Sequence, residues 1–235
     1  MKIAILCAMQ EELTSIIQIL GRQIICNKSK QFEHYVTCYE NHELRLVLCG
    51  VGKVNAALHT QYIIDTFAPD YIINVGVAGS LSPKLNFGDI VVASDLIQYD
   101  MDITPLGLEL GQIPFMKDYI FECDKQLVKY VEQSRFESRE IYCGRIVSGD
   151  RFVDDAKYAH FIRDHFGALA CDMEGAAVAQ VCHINQKPFL IVRAISDMAG
   201  RGGINAAYTF RQMKDMAAAC SSIIIKQVLT CMANK

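Results

Sequence analysis

Most of what would direct a chain to a membrane, an extracellular framework or a nucleic acid is missing from these 235 residues. No uninterrupted apolar run approaches the ~20 residues that cross a bilayer. The N-terminal run, Ile3 to Cys7, is too short for a secretory signal and is followed by Glu11 and Glu12. There is no Pro/Gly/Ser-rich linker, like-charge block, low-complexity tract or internal repeat, so residues 1–235 read as a single domain. The formal net charge is −3 with both signs interspersed. That excludes the basic footprint expected of a nucleic-acid or anionic-membrane binder and suits a neutral or zwitterionic small molecule. The ten cysteines include no CxxC pair and sit mostly beside apolar residues. They read as small buried hydrophobes in a reducing compartment, and a cytoplasmic protein is expected. The six histidines fall at none of the usual ligand spacings, so neither a metal nor another cofactor is expected.

What the chain does contain is a repeated pattern of short apolar runs followed by helical spacing. Half of the residues are hydrophobic (51%), enough for a substantial core. Buried strands are read at Ile3–Cys7, Tyr71–Val75, Asp89–Ala93, Ile141–Ser148, Ala168–Cys171 and Pro188–Asp197, and a hairpin at Glu33–Tyr39 and Glu43–Cys49. Helices are read from Gln10, over Lys53 to about Thr66, Lys125–Gln133 and Ala156–His165, after Asp172, and from about Phe210. Strands alternating with helices predict a three-layer α/β/α domain on a central mixed, largely parallel sheet.

Four strand ends carry polar or glycine-rich junctions, near Glu12, Gly76, Glu174 and Asp197. In open α/β sheets ligands bind beyond the carboxyl ends of the strands, so a carboxylate there is a candidate functional group. Each also has a plain structural reading. Ser196-Asp197 suits a turn cap, acid in a first helical turn complements the helix dipole, and Phe152 suits the core as well as a stacking platform. Gly50-Val51-Gly52 could bind an anion through exposed N–H groups or simply pack closely. The segment from Gln98 to Pro114 has few periodic features, and loops of that length are more often functional than idle.

Seven blocks taken in order make the chain recognisable: Ala8-Met9-Gln10-Glu11-Glu12, Gly50-Val51-Gly52-Lys53-Val54, Asn74-Val75-Gly76-Val77-Ala78-Gly79, Gly88-Asp89-Ile90-Val91, Ser148-Gly149-Asp150, Asp172-Met173-Glu174 and Val192-Arg193-Ala194-Ile195-Ser196-Asp197. Together they resemble the 5'-methylthioadenosine/S-adenosylhomocysteine nucleosidases of the nucleoside phosphorylase superfamily, from Met1 to the C-terminal helix. The resemblance implies hydrolysis of the bond between adenine N9 and ribose C1' through an oxocarbenium-like ribosyl cation. By it, Asp197 is the general acid toward adenine N7 and Glu12 binds and polarises the water. Glu174 holds the ribose hydroxyls beside Met173, Phe152 stacks on adenine, and Val153 meets the base edge. Met9, Ala78, Gly79, Ser196, Ile103, Leu106 and Tyr208 complete the expected substrate contacts. The family's 5' pocket is built partly by a dimer partner, so a homodimer is expected. Three positions depart from many members: Asp172 replaces Glu, Val77 replaces Ser and Tyr99 replaces His. At its reference pKa near 3.9, only about one Asp197 in a thousand would hold a proton at pH 7, so a shift of roughly 3 units is required, from burial or from the bound base.

Other readings fit the same residues. A purine nucleoside phosphorylase would share the fold and need cations for phosphate, which Glu12 opposes. A nucleosidase for a futalosine-type adenosine derivative would differ only in substrate. A non-catalytic nucleoside-binding protein would not need all three carboxylates.

Overall fold

The computed structural model describes residues 1–21, 25–28, 33–136, 139–200 and 205–234. Ten strands form one mixed sheet: β1 (Lys2–Cys7), β2 (Ile25–Lys28), β3 (Glu33–Tyr39), β4 (His42–Leu48), β5 (Tyr71–Ser80), β6 (Ile90–Gln98), β7 (Phe121–Glu122), β8 (Ile141–Ser148), β9 (Ala170–Asp172) and β10 (Phe189–Asp197). β4, β1, β5 and β10 run parallel side by side. A second parallel run, β6–β8–β9, joins it antiparallel at both ends, through β6 to β10 and through β9 to β5. β5, β10, β6, β8 and β9 therefore close on themselves, and β1 and β4 extend from β5 and carry the antiparallel β3 and β2 outward.

The continuous apolar runs are explained by two covered faces. Along β10, Phe189, Ile191 and Ile195 enter one core cluster, while Leu190, Val192 and Ala194 enter another on the opposite face. Period-two geometry allows this only when both faces are buried. One face is covered by α2 (Lys53–Phe67) and α5 (Gly175–Ile184), the other by α1 (Gln10–Leu20), α3 (Lys125–Glu132) and α6 (Ala206–Ala233). α4 (Ala156–Phe166) packs over a third cluster with Tyr99, Val147 and Val153. The layers and the mixed sheet are those expected from the alternation of strand and helix.

Local chemistry accounts for the helix ends. Asp124 caps α3 by accepting from Gln126 and Leu127 N–H, and Asp155 caps α4 by accepting from Tyr158 N–H. α6 starts earlier than the Phe210 expected, because Asn205 accepts from Tyr208 N–H at 2.8 Å and adds a turn. α6 has the length and apolar content of a membrane span, but Ala217, Ile224, Val228 and Leu229 are buried in the core with residues of α1, β5 and β10. Its apolarity is that of a core helix. β2 was not foreseen, and Gly202 and Gly203 lie outside the described residues.

Ile224 is fully buried on α6. Ile224→Ala should lower stability by about 3 kcal/mol through lost burial and the residual cavity, read as a fall in the urea midpoint with an unchanged slope.

Candidate active site

β1, β5 and β10 are parallel and end at one edge of the sheet, and β9 ends there in the turn to α5. A cavity of about 280 Å³ opens at that edge, close to the lower end of the ~300–1,000 Å³ usual for small-ligand sites. Met9, Glu12, Ala78, Gly79, Phe152, Val153, Met173, Glu174, Ser196 and Asp197 all line it.

Glu12 stands at the third position of α1 and turns back over its own N-terminus, accepting from Ala8 and Met9 N–H at 2.8 and 3.0 Å. Its other oxygen accepts from Val77 N–H on β5 at 3.1 Å. Only a glycine fits beneath it, since a Cβ on Gly76 would lie 2.5 Å from Glu12 Oε1. Burial raises the Glu12 pKa, opposed by the Arg193 guanidinium and these three N–H donors. Neighbouring Glu11 points away and pairs with Lys214 of α6.

Glu174 is the first residue of the turn into α5, and one of its oxygens accepts from Gly52 N–H at 2.9 Å. The anion held by the glycine junction is thus the protein's own carboxylate. Gly52 sits at φ +99°, in a region that favours glycine. Burial, and then Asp172, push the Glu174 pKa above the usual carboxylate range.

Asp197 ends β10 after a register shift against β5. Its Oδ1 accepts from Ala199 N–H at 3.0 Å, and its Oδ2 accepts from the Ser196 hydroxyl at 3.1 Å. A Cβ on Gly79 would lie 2.8 Å from Asp197 Oδ1. Burial pushes its pKa from an ordinary 3.8 to about 6, against those two hydrogen bonds. Glu12 is packed against Gly76 and Asp197 against Gly79, three residues further along β5. Both line the same cavity.

Beneath these groups Arg193, 1% exposed, pairs with Asp172 at 2.7 Å and with Asn74. Asp172 also accepts from the Ser148 hydroxyl. Two further departures from the family pattern have structural partners: Val77 supplies its N–H to Glu12, and buried Tyr99 donates its hydroxyl to Arg151 carbonyl oxygen at 3.0 Å. Phe152 is 38% exposed and lies edge-on to Phe210 at 5.6 Å.

Three residues expected at the substrate lie outside the lining. Leu106 is 81% exposed in a short 3-10 turn whose flanking residue is Ile103, and Tyr208 is 59% exposed on α6. Phe210 lines the cavity instead, because residues two apart on a helix face different ways. Sequence reasoning missed Phe210 by starting the helix too late; Asn205 as a cap was the available signal. It also missed Val51, Arg151 and Cys171, which line the cavity.

The phosphorylase superfamily model matches residues 2–230. The chain is 40% identical to the 5'-methylthioadenosine/S-adenosylhomocysteine nucleosidase of Bacillus pumilus (strain SAFR-032), covering 97% of this chain and 98% of that one. It superposes with TM-score 0.91 and 34% identity on the Neisseria meningitidis 5'-methylthioadenosine/S-adenosylhomocysteine nucleosidase in complex with methylthio-immucillin-A, covering 98% and 99% of the two chains. Futalosine hydrolase of Helicobacter pylori strain 26695 superposes with TM-score 0.92 and 31% identity over 97% of each chain.

Because Asp197 has a raised pKa, the native state keeps a proton that the unfolded chain has already released. Its contribution to stability is complete below about pH 4 and is lost as pH rises to about 6, roughly 3 kcal/mol in all. Asp197→Asn cannot ionise and retains an acceptor for Ala199 N–H. It should unfold at higher urea than the parent at about pH 8, and at nearly the same urea at about pH 4.

Proposed function

Since the chain belongs to the phosphorylase superfamily, and within it to the 5'-methylthioadenosine/S-adenosylhomocysteine nucleosidases, it is an N-glycosyl hydrolase of adenosine-type nucleosides; we propose how its residues divide that reaction. Asp197 protonates adenine N7, Glu12 orients the water that attacks C1', and Glu174 holds the ribose hydroxyls. One observation carries this reading: a single cavity presents three buried carboxylates in three different hydrogen-bonding environments. With a pKa of about 6, roughly one Asp197 in ten is protonated at pH 7 before substrate binds, against one in a thousand for an ordinary aspartate. The N7 lone pair of a bound base would favour the protonated form further.

Glu12 is suited to water rather than acid work. Burial raises its pKa, three N–H donors and a nearby guanidinium act against that rise, and the same N–H groups hold the carboxylate still. A charged carboxylate can accept a proton from water as the ribosyl cation develops, and it stabilises that cation electrostatically. Phe152 and Phe210, edge to face, supply apolar surface for a purine ring, and Val153 supplies backbone for its edge. Gly52 N–H occupies one oxygen of Glu174, which leaves the other for a ribose hydroxyl.

Against the phosphorolytic alternative, Lys53 and Arg193 are already paired with acids. Lys53 is engaged by Asp100 at 2.6 Å and Gln98 at 2.9 Å, Arg193 by Asp172, and Arg151 lies 4.2 Å over the Tyr158 ring. A futalosine-type nucleoside remains a second candidate substrate, supported by the similarity to a futalosine hydrolase. Adenine release from 5'-methylthioadenosine should proceed at the same rate with and without phosphate, and Asp197→Asn should lose at least about a thousandfold in kcat. Strict phosphate dependence would refute hydrolysis.

The mouth of the cavity supports a dimer in which a second copy completes the 5' pocket. Val54 and Leu58, 77% and 53% exposed, stand four residues apart on α2 and share one face, and Val51, 47% exposed in the turn before that helix, lines the cavity. The double substitution Val54→Glu with Leu58→Glu should give a monomer by light scattering and a raised KM, with the fold intact.

A further inference from the structure

Helix α5 begins in an unusual way. Glu174 is its N-cap, yet the side chain of Glu174 makes no capping hydrogen bond. The N–H groups exposed at the helix start are satisfied from elsewhere: Gly175 N–H reaches both oxygens of Asp172 at 3.2 Å, and Ala176 N–H reaches Ser148 Oγ at 2.7 Å. Ser148, fully buried at the end of β8, donates its own hydroxyl proton to Asp172. Asp172 is in turn held by Arg193 at 2.7 Å.

Resting on the reading of Glu174 as the ribose-binding carboxylate, we propose that Ser148 and Asp172 are positioning residues for it. They cap α5 in its place, so its carboxylate stays in the ribose subsite. The N-cap position is where a side-chain acceptor ordinarily turns back onto its own helix. Two buried N–H groups left unpaired would draw the nearest acceptor to them, and the carboxyl of Glu174 is attached at that point of the chain. With the donors already occupied, that carboxylate instead bonds Gly52 N–H at the start of α2. Gly175 sits against the same device, because a Cβ there would lie 2.6 Å from Asp172 Oδ2, and 2.8 Å from Leu96 Cδ2 on the core side, and push the borrowed cap off the helix.

The test compares kcat/KM for 5'-methylthioadenosine with that for its 2'-deoxy and 3'-deoxy counterparts in the full-length enzyme. Ser148→Ala should lower the preference for the ribo substrate at least tenfold, the loss falling on the ribo substrate and appearing mainly in KM. Ser148→Thr, which keeps the hydroxyl, should restore the preference. Gly175→Ala, which leaves Ser148 in place, should reproduce the loss and serves if Ser148→Ala does not fold. Equal losses on ribo and deoxy substrates, or an unchanged preference in both variants, would overturn the proposal. Glu174→Ala separates the two layers of inference. If it too leaves the preference unchanged, the ribose reading fails; if it abolishes the preference while Ser148→Ala and Gly175→Ala do not, only the positioning role fails.

Discussion

The buried guanidinium of Arg193 is the charge on which the site depends. It lies inside the sheet on β10, paired with Asp172 and bonded to Asn74, and its attraction reaches Glu12 and Glu174. Burial works against its own charge, and the three carboxylates more than compensate. Burying several ions together is rarely a route to stability, and breaking such a pair by removing one partner costs about 3–5 kcal/mol. The guanidinium opposes the effect of burial on the neighbouring carboxylates without cancelling it, and both Glu12 and Glu174 keep raised pKa values. At Asp197 that effect is opposed only by the Ala199 N–H and the Ser196 hydroxyl. All three buried acids have raised pKa values, Glu174 to about 8 and Asp197 to about 6, and they differ in the neighbours that act against burial.

Backbone N–H groups do much of the remaining positioning. Glu12 is held by three of them, Glu174 by one at the start of α2, Asp197 by one after the strand, and Lys53 N–H holds Asp150 at 2.8 Å in the turn before Phe152. The starts of α1, α2 and α5 all converge on the edge where β1, β5 and β10 end. Helix N-termini carry partial positive charge, so their convergence suits a cluster of acids. Gly76 and Gly79 supply the clearance: side chains there would collide with Glu12 and Asp197.

Lys53 illustrates how the same elements can mislead. A lysine after a glycine-bearing turn invites a phosphate reading, but its ammonium is spent on Asp100 and Gln98. The turn's N–H groups are likewise occupied, by Glu174 and Asp150. A site for an anionic co-substrate would need those groups free.

The layers of the fold were legible because burial imposes a period on the chain. Continuous apolar runs such as Phe189–Val192 identify strands covered on both faces, and the spacing of Leu13, Ile16 and Leu20 identifies a helix with one buried face. The acidic and glycine-rich strand ends were legible for the same reason, since polarity interrupts apolarity there. By itself the sequence determined most of the elements, though not the short β2 and β7 or the start of α6, and which junctions carry carboxylates. It did not determine which of those junctions meet, that Arg193 within an apolar run pairs with Asp172, that Ser148 and Asp172 cap a helix begun by Glu174, or that Phe210 rather than Tyr208 faces the cavity. Those are contacts between segments distant along the chain, or choices between neighbouring helix positions. They are decided by strand order, register and the direction in which each helix presents its side chains, none of which leaves a local period to read.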